Sequence, residues 1–495
     1  LDVRPVGYVI GLLLMALGAS MALPLIADII EGNGHWPVFV ESGLITILVG
    51  MCISLATANA VRDRLSLQQT FLLTTAVWLM LPVFAALPLM IGASDLSYTD
   101  AFFEAMSGLT TTGSTVITGL DDLPAGILLW RRLLQWFGGI GVIVVAMVFL
   151  PELRVGGMQI FRSEAFDTMG KVLPRAAQIS STISSIYLGI TVLCALAYGA
   201  AGMGIFDAIV HAMTTVSTGG FANYDASFAT FQGPTEYIAT VFMLASALPF
   251  VLYVQLVNGS GRPILSNSQV RAFLGTAATL VMTVAGALIL FDDFSVEQAI
   301  REALFNIASI LTGTGYASVD YMKWGGFIIA IFFFSGLIGG CAGSTTCSVK
   351  IFRYQILFAA VKAQIRRVHS PHGIFRARYD GVAVSEDVLS SVMAFFVLFV
   401  VTLGVFSVAL AMTGLDLVTS VSGAATAVAN IGPGLGDIIG PAGNFASLSD
   451  TAKWLLAAAM LIGRLELMVV YVLFTALTGL IMPLRRGFDR IGDAR

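Results

Sequence analysis

Four short polar turns are set into an otherwise apolar chain, and they share one pattern. They read Leu109-Thr-Thr-Thr-Gly113-Ser114, Val216-Ser-Thr-Gly-Gly220-Phe221, Leu311-Thr-Gly-Thr-Gly315-Tyr316 and Val428-Ala-Asn-Ile-Gly432-Pro433. Each follows a short amphipathic stretch and precedes a long apolar run. The aligned glycines lie 107, 95 and 117 residues apart. A turn that recurs at this spacing predicts four equivalent units.

Only 11% of the 495 residues are charged and 57% are hydrophobic, whereas a soluble domain carries about 25% charged residues. The chain therefore reads as a polytopic membrane protein. Apolar runs fall near 6–30, 38–60, 70–92, 127–150, 179–201, 235–257, 271–291, 324–349, 388–412 and 452–482. A helix of about 20 such residues crosses a bilayer with its backbone satisfied. The first run is too long for the apolar core of a signal peptide, and the last are long enough to be bent or broken.

Positive charge follows every second run: Arg62 and Arg64; Arg154, Arg162, Lys171 and Arg175; Arg262 and Arg271; seven Lys or Arg between 350 and 378; and Arg485, Arg486 and Arg490. With Arg4, this bias places both termini and the even-numbered loops in the cytoplasm. The opposite loops are acidic, with Asp95, Asp100, Asp121, Asp207, Asp225, Asp320 and Asp416 among their residues. Arg131, Arg132, Lys323 and Lys453 depart from this rule, and snorkelling to the interface accounts for them.

The predicted fold is all-α. Two extra transmembrane helices precede four parallel helix–pore-loop–helix repeats around a pseudo-fourfold pore. The divisions are 1–66 for the leading hairpin, then 67–175, 176–268, 269–378 and 379–495 for the repeats. Segments 100–109, 207–216, 297–311 and 416–428 are too short to span and read as re-entrant half-helices. Each begins with an acidic residue suited to a helix N-terminus.

The turns suit a dehydrated monovalent cation, which needs several oxygens at once. Glycine lets successive carbonyls face one axis, and threonine hydroxyls add oxygens. No turn carries a formal charge, unlike a calcium site. The candidate ligands are Thr111, Thr112 and Gly113; Thr218, Gly219 and Gly220; Gly313, Thr314 and Gly315; and Asn430, Ile431 and Gly432. Tight helix packing explains a single copy of such a turn, but four equivalent copies favour a filter.

Two features lie outside the turns. Gly336, Gly339, Gly340 and Gly343, followed by Ser344, Thr345 and Thr346, disfavour a straight helix. They read either as a broken helix lining a cavity or as a small-residue packing face. Arg464, deep in an apolar run, is a functional candidate by default, or else a structural ion pair with another helix. Glu466, two residues on, points elsewhere on a helix.

The motifs Phe102-Phe-Glu-Ala-Met-Ser-Gly-Leu-Thr-Thr-Thr-Gly113, Thr215-Val-Ser-Thr-Gly-Gly-Phe221, Thr312-Gly-Thr-Gly-Tyr316 and Asn430-Ile-Gly-Pro-Gly434 resemble those of the TrkH-type subunits in the Trk/Ktr/HKT potassium-transporter superfamily. The resemblance covers essentially the whole chain. It implies K⁺ as the transported ion and no organic cofactor. It also implies a bacterial inner-membrane homodimer regulated by a cytosolic TrkA-type subunit that binds NAD(H), ATP or ADP. Segments 350–378 and 154–175 are the docking surfaces expected for that subunit. Gly113 stands where sodium-preferring plant relatives carry serine. By the same resemblance, the loop at 336–348 plugs the pore and Arg464 faces the permeation path. The fourth turn is the least regular.

Other motifs carry less. Cys52, Cys194, Cys341 and Cys347 read as packing residues, and His369 and His372 as solvated. His211 either supports a turn or packs. Gly138, Gly139 and Gly141 suggest close helix packing. There is no phosphate-binding glycine loop, no nucleophile–base set and no nucleic-acid module. The alternatives to a pore are a cation-coupled symporter, with H⁺ or Na⁺, and a small-solute symporter.

Overall fold

A computed structural model of the chain describes residues 2–60, 65–145, 176–467 and 470–471. Arg62, Arg64, Arg154, Arg162, Lys171, Arg175, Arg485, Arg486 and Arg490 lie outside the described residues. Among those described, seven helices are long and apolar enough to cross a membrane: Arg4–Glu31, Pro37–Thr57, Gln68–Ile91, Ala125–Val144, Ser180–Ala200, Ser268–Phe291 and Glu386–Ala411. Pro234–Ser246 and Phe250–Val257, bent by 95° at their break, add an eighth when the pair is counted as one broken span.

The first two spans make a hairpin that braces the rest. Asp28, in the last helical turn of the first span, is fully buried. It accepts bonds from His35 Nδ1 (2.8 Å), Asn33 Nδ2 (2.9 Å) and the Gly126 N–H (2.7 Å), while Glu31 accepts from the Ala125 N–H (2.9 Å). Two carboxylates thus satisfy free N–H groups at the start of Ala125–Val144, where the helix dipole favours negative charge.

Four units follow, each with a first helix, a half-helix, a turn and a second helix. The half-helices are Tyr98–Leu109, Ile205–Val216, Val296–Leu311 and Leu417–Ala429, within two residues of their expected starts. Ser97, Ser295 and Asp416 cap three of them, accepting from the N–H of Asp100 (3.2 Å), Gln298 (3.3 Å) and Thr419 (3.1 Å). Of the expected acidic residues, only Asp416 is itself the cap. Asp100, Asp207 and Glu297 sit in the first turn, where they complement the dipole.

The second helices differ from one another. In the first unit, Ala125–Val144 is continuous. In the second, the apolar run read as one span breaks at Ala247–Pro249, because Pro249 supplies no N–H to continue the helix. In the third, Gly325–Gly336 stops, and β1 (Ile338–Gly339) pairs in parallel with β2 (Val349–Lys350) before Ile351–His369 resumes. In the fourth, Asp450–Arg464 ends in a turn where Glu466 and Leu467 take positive φ. A small antiparallel pair, β3 (Arg378–Tyr379) and β4 (Val382–Ala383), straddles the boundary between the third and fourth units. Among the described residues, these two strand pairs are the strands of an otherwise helical fold.

Candidate functional site

Each turn repeats one backbone device. The residue two before the aligned glycine is left-handed: Thr111 (φ 51°), Thr218 (50°), Gly313 (71°) and Asn430 (51°). The glycine is left-handed again: Gly113 (88°), Gly220 (76°), Gly315 (82°) and Gly432 (115°). Such angles cost a residue with a Cβ about 1–2 kcal/mol and glycine little. The residue between them donates its N–H five residues back: Thr112 to Ser107 (2.8 Å), Gly219 to Thr214 (2.9 Å), Thr314 to Ser309 (2.8 Å) and Ile431 to Thr426 (3.0 Å). Identical bonding makes the four turns equivalent in spite of their different sequences.

The turns meet head to tail. An added Cβ on Gly113 would overlap the Gly219 carbonyl oxygen; on Gly220, that of Thr314; on Gly315, that of Ile431. On Gly432 it would lie 2.9 Å from the Thr112 carbonyl oxygen, which closes the ring. All four glycines line one cavity of 270 Å³, which Asp225 and Tyr224 also border. Burial, together with the hydrogen bond to Asp207, pushes the Tyr224 phenol up to about 12, so it stays neutral and donates to that carboxylate (3.0 Å).

Side chains in the ring divide by role. The Thr112 and Thr314 hydroxyls pair with Thr110 (2.8 Å) and Thr312 (2.7 Å) of their own turns. The Asn430 amide reaches Thr112 Oγ1 (2.9 Å) and the Met460 carbonyl (3.0 Å), tying the fourth turn to the first. Thr111 and Thr218 point the other way, toward the 336–348 segment. Thr111 Oγ1 is 3.9 Å from Cys347 Sγ, and Thr218 Oγ1 is 3.2 Å from Thr345 Oγ1.

A polar frame holds the ring. Buried Glu104 accepts from the Val116 N–H (2.9 Å), Thr115 Oγ1 (3.0 Å) and Arg131 Nε (2.7 Å). Asn306 stands at the equivalent place in the third unit and accepts from the Ser318 N–H (3.2 Å). Gln135 clamps the second turn, donating to the Gly219 carbonyl and accepting from the Phe221 N–H (3.1 Å). His211 occupies the place of Glu104 in the second unit. It packs against Phe228, Phe231 and Tyr316, with Nδ1 2.9 Å from the Asp207 carbonyl. Sequence reasoning missed Glu104, Gln135 and Asn306 in this frame. For Glu104 and Asn306 the shared spacing to the aligned glycine was the available signal; Gln135 had none.

On the side of the ring opposite the cavity lies the segment 336–348. It is bolted to the break in the second unit. The Cys341 N–H donates to the Ala247 carbonyl (2.9 Å), the Thr345 N–H to Ser246 (3.3 Å) and the Phe250 N–H to Gly343 (2.9 Å). Gly339 and Gly340 leave no room for a Cβ against Cys347 and Thr346, Gly336 lies under the Ile431 side chain, and Gly343 has φ 72°. The Ser344 hydroxyl bonds Thr346 Oγ1 (2.7 Å). Arg464 approaches the same segment from the fourth unit. Its guanidinium donates to the Gly138 carbonyl (3.1 Å) and the Thr345 carbonyl (3.5 Å) and contacts Cys347 Sγ. Glu466 turns away from Arg464 and pairs with Arg353.

The snorkelling reading fails for three cations. Arg131 is buried and paired with Glu104, and Lys453 is buried and paired with Asp100. Arg132 is fully buried, with its Nη1 on the Leu128 carbonyl (2.8 Å). Acids on the half-helix give Arg131 and Lys453 partners inside the protein, so neither reaches for the interface. Lys323 alone is exposed, 3.5 Å from Asp320. Gly138 and Gly139 do pack closely, against the Leu109 carbonyl and the Tyr187 hydroxyl.

Multiple apolar spans around a ring of four equivalent glycine turns define a membrane transport protein rather than an enzyme. Residues 35–479 match the TrkH family, described as cation transport protein, and the chain belongs to that family. It is 43% identical over 478 residues to the Trk system potassium uptake protein TrkI of Halomonas elongata, covering 95% of this chain and 96% of that one. It is 35% identical to the Trk system potassium uptake protein TrkH of Escherichia coli K12, covering 95% and 98%. The crystal structure of the potassium transporter TrkH from Vibrio parahaemolyticus superposes with a TM-score of 0.87 at 33% identity, covering 96% and 98%.

Proposed function

We propose that this protein carries K⁺ into the bacterial cell across the inner membrane, through the ring of four turns. The observation that carries the reading is the closed, equivalently bonded ring of Gly113, Gly220, Gly315 and Gly432. Carbonyls from four turns replace the hydration shell of the ion. The C-terminal ends of four half-helices add negative potential at the same place. Thr111 and Thr218 extend the oxygen ladder on the far side. The relatives named as potassium uptake proteins support the choice of ion.

Below the ring, residues 336–348 act as the plug, and Arg464 opposes a cation by its charge. The repeats run from 67 to 175, 176 to 268, 269 to 378 and 379 to 495. Both termini lie in the cytoplasm. The chain works as a homodimer, opened from the cytosol by a TrkA-type nucleotide-binding subunit. Reconstituted protein will pass K⁺ and Rb⁺ down a gradient, with Na⁺ clearly slower. Passage of neither ion, or of an uncharged solute instead, overturns the reading.

A further inference from the structure

The third unit carries a basic cleft that the ion pathway does not use. Lys362 and Arg366 stand one turn apart on Ile351–His369. Arg376 and Arg378 come from the strand segment that folds back beside that helix. All four line one cavity of 670 Å³, together with Ile374 and Phe375, and no acidic residue lines it. Among the described residues, none of the four cations forms an ion pair. Clustered like charges without a counterion repel one another, so the cleft favours an anion.

The adjacent face of the same helix is apolar and exposed. Phe358, Val361, Ile365 and Val368 follow helical spacing and are 68%, 48%, 54% and 71% exposed. Depth places this stripe at a membrane surface. Gly325–Gly336 covers about 18 Å of span. That leaves about 12 Å of a hydrocarbon core of about 30 Å, or about eight residues of the resumed helix. The core boundary then falls near Phe358, with Lys362 and Arg366 at the level of the headgroups.

We propose that this cleft binds the phosphate of an anionic phospholipid, whose acyl chains lie along Phe358, Val361 and Ile365. Arg376 and Arg378 close over the headgroup from the hairpin side. Basic pockets at this depth attract anionic headgroups. The apolar stripe beside the cations selects a lipid over free phosphate. The proposal goes beyond the ion-pathway reading and uses it only for the depth of the helix.

The test is native mass spectrometry of the full chain, purified in detergent with a mixture of phosphatidylcholine, phosphatidylglycerol and cardiolipin. The wild type should retain the anionic lipids roughly tenfold or more over phosphatidylcholine. The variant Lys362→Gln, Arg366→Gln, Arg376→Gln, Arg378→Gln should lose that preference. The milder pair Arg376→Gln, Arg378→Gln, on the hairpin alone, should lose part of it. Phe358→Ser with Ile365→Ser should also weaken retention. Equal retention by wild type and both charge variants overturns the proposal. So does displacement of the lipid by an equal concentration of inorganic phosphate, which would make the site one for a free anion. Retention that depends on the apolar stripe but not on the cations would mean that acyl-chain contact alone holds the lipid, and also overturns it. Rb⁺ flux in vesicles of the same protein reports the ion pathway separately, so either reading can fail alone.

Discussion

Gly220 lies so close to the Thr314 carbonyl that an added Cβ would overlap the oxygen. The same relation joins Gly315 to Ile431, whereas Gly432 has more room beside Thr112, at 2.9 Å. Alanine at the first two positions must therefore push neighbouring turns apart as well as strain its own backbone. Gly220→Ala and Gly315→Ala should each lower Rb⁺ flux by about tenfold or more, consistent with a left-handed penalty of about 1–2 kcal/mol plus the clash. Gly432→Ala should be milder. An equal loss at all three positions would argue that backbone angle alone matters, and not ring closure.

Gly113 abuts the Gly219 carbonyl, which Gln135 also holds. Serine at position 113 would displace that carbonyl of the second turn and leave the third and fourth turns nearly intact. Gly113→Ser should therefore reduce discrimination between K⁺ and Na⁺, measured as the ratio of their fluxes into the same vesicles. An unchanged ratio would remove Gly113 from the ion path.

Arg464 donates to Gly138 of the first unit and Thr345 of the third. Arg464→Ala removes both a positive charge and the brace on the 336–348 segment. Basal Rb⁺ flux, without any cytosolic partner, should rise severalfold. Flux that stays level or falls would count against a barrier role.

Glu104 and Arg131 form a buried ion pair, 0% and 1% exposed. Glu104→Gln leaves a buried cation without its counterion, which typically costs about 3–5 kcal/mol. Glu104→Gln and Arg131→Leu should each lower the unfolding temperature in detergent, and the double variant should recover part of the loss. Additive losses would show that the two residues do not stabilise the fold as a pair.

The sequence disclosed what is local. Half-helix lengths, the aligned glycines and the interruption at 336–348 all follow from residue types that act on their own backbone. Pairings between units were not legible. Arg131 looks like an interfacial cation until Glu104, 27 residues earlier, is seen to share its pocket. The partners of Arg464 come from two other units, more than a hundred residues away. The run 235–257 reads as one span although Pro249 interrupts it, and the use of that break as a mooring for Cys341 and Thr345 depends on how the units assemble. The repeat pattern predicts equivalent turns. It does not predict that Gln135 serves the second turn while Asn430 ties together the first and fourth.

The ring closes in chain order, with the fourth turn returning to the first, and all its members belong to one polypeptide. In an assembly of identical subunits, every substitution lands in every quadrant at once. Here each quadrant answers to its own codons. Thr112, Gly219, Thr314 and Ile431 occupy one layer with four different surroundings, so the aperture can be retuned asymmetrically, one edge at a time, while three neighbours keep it folded.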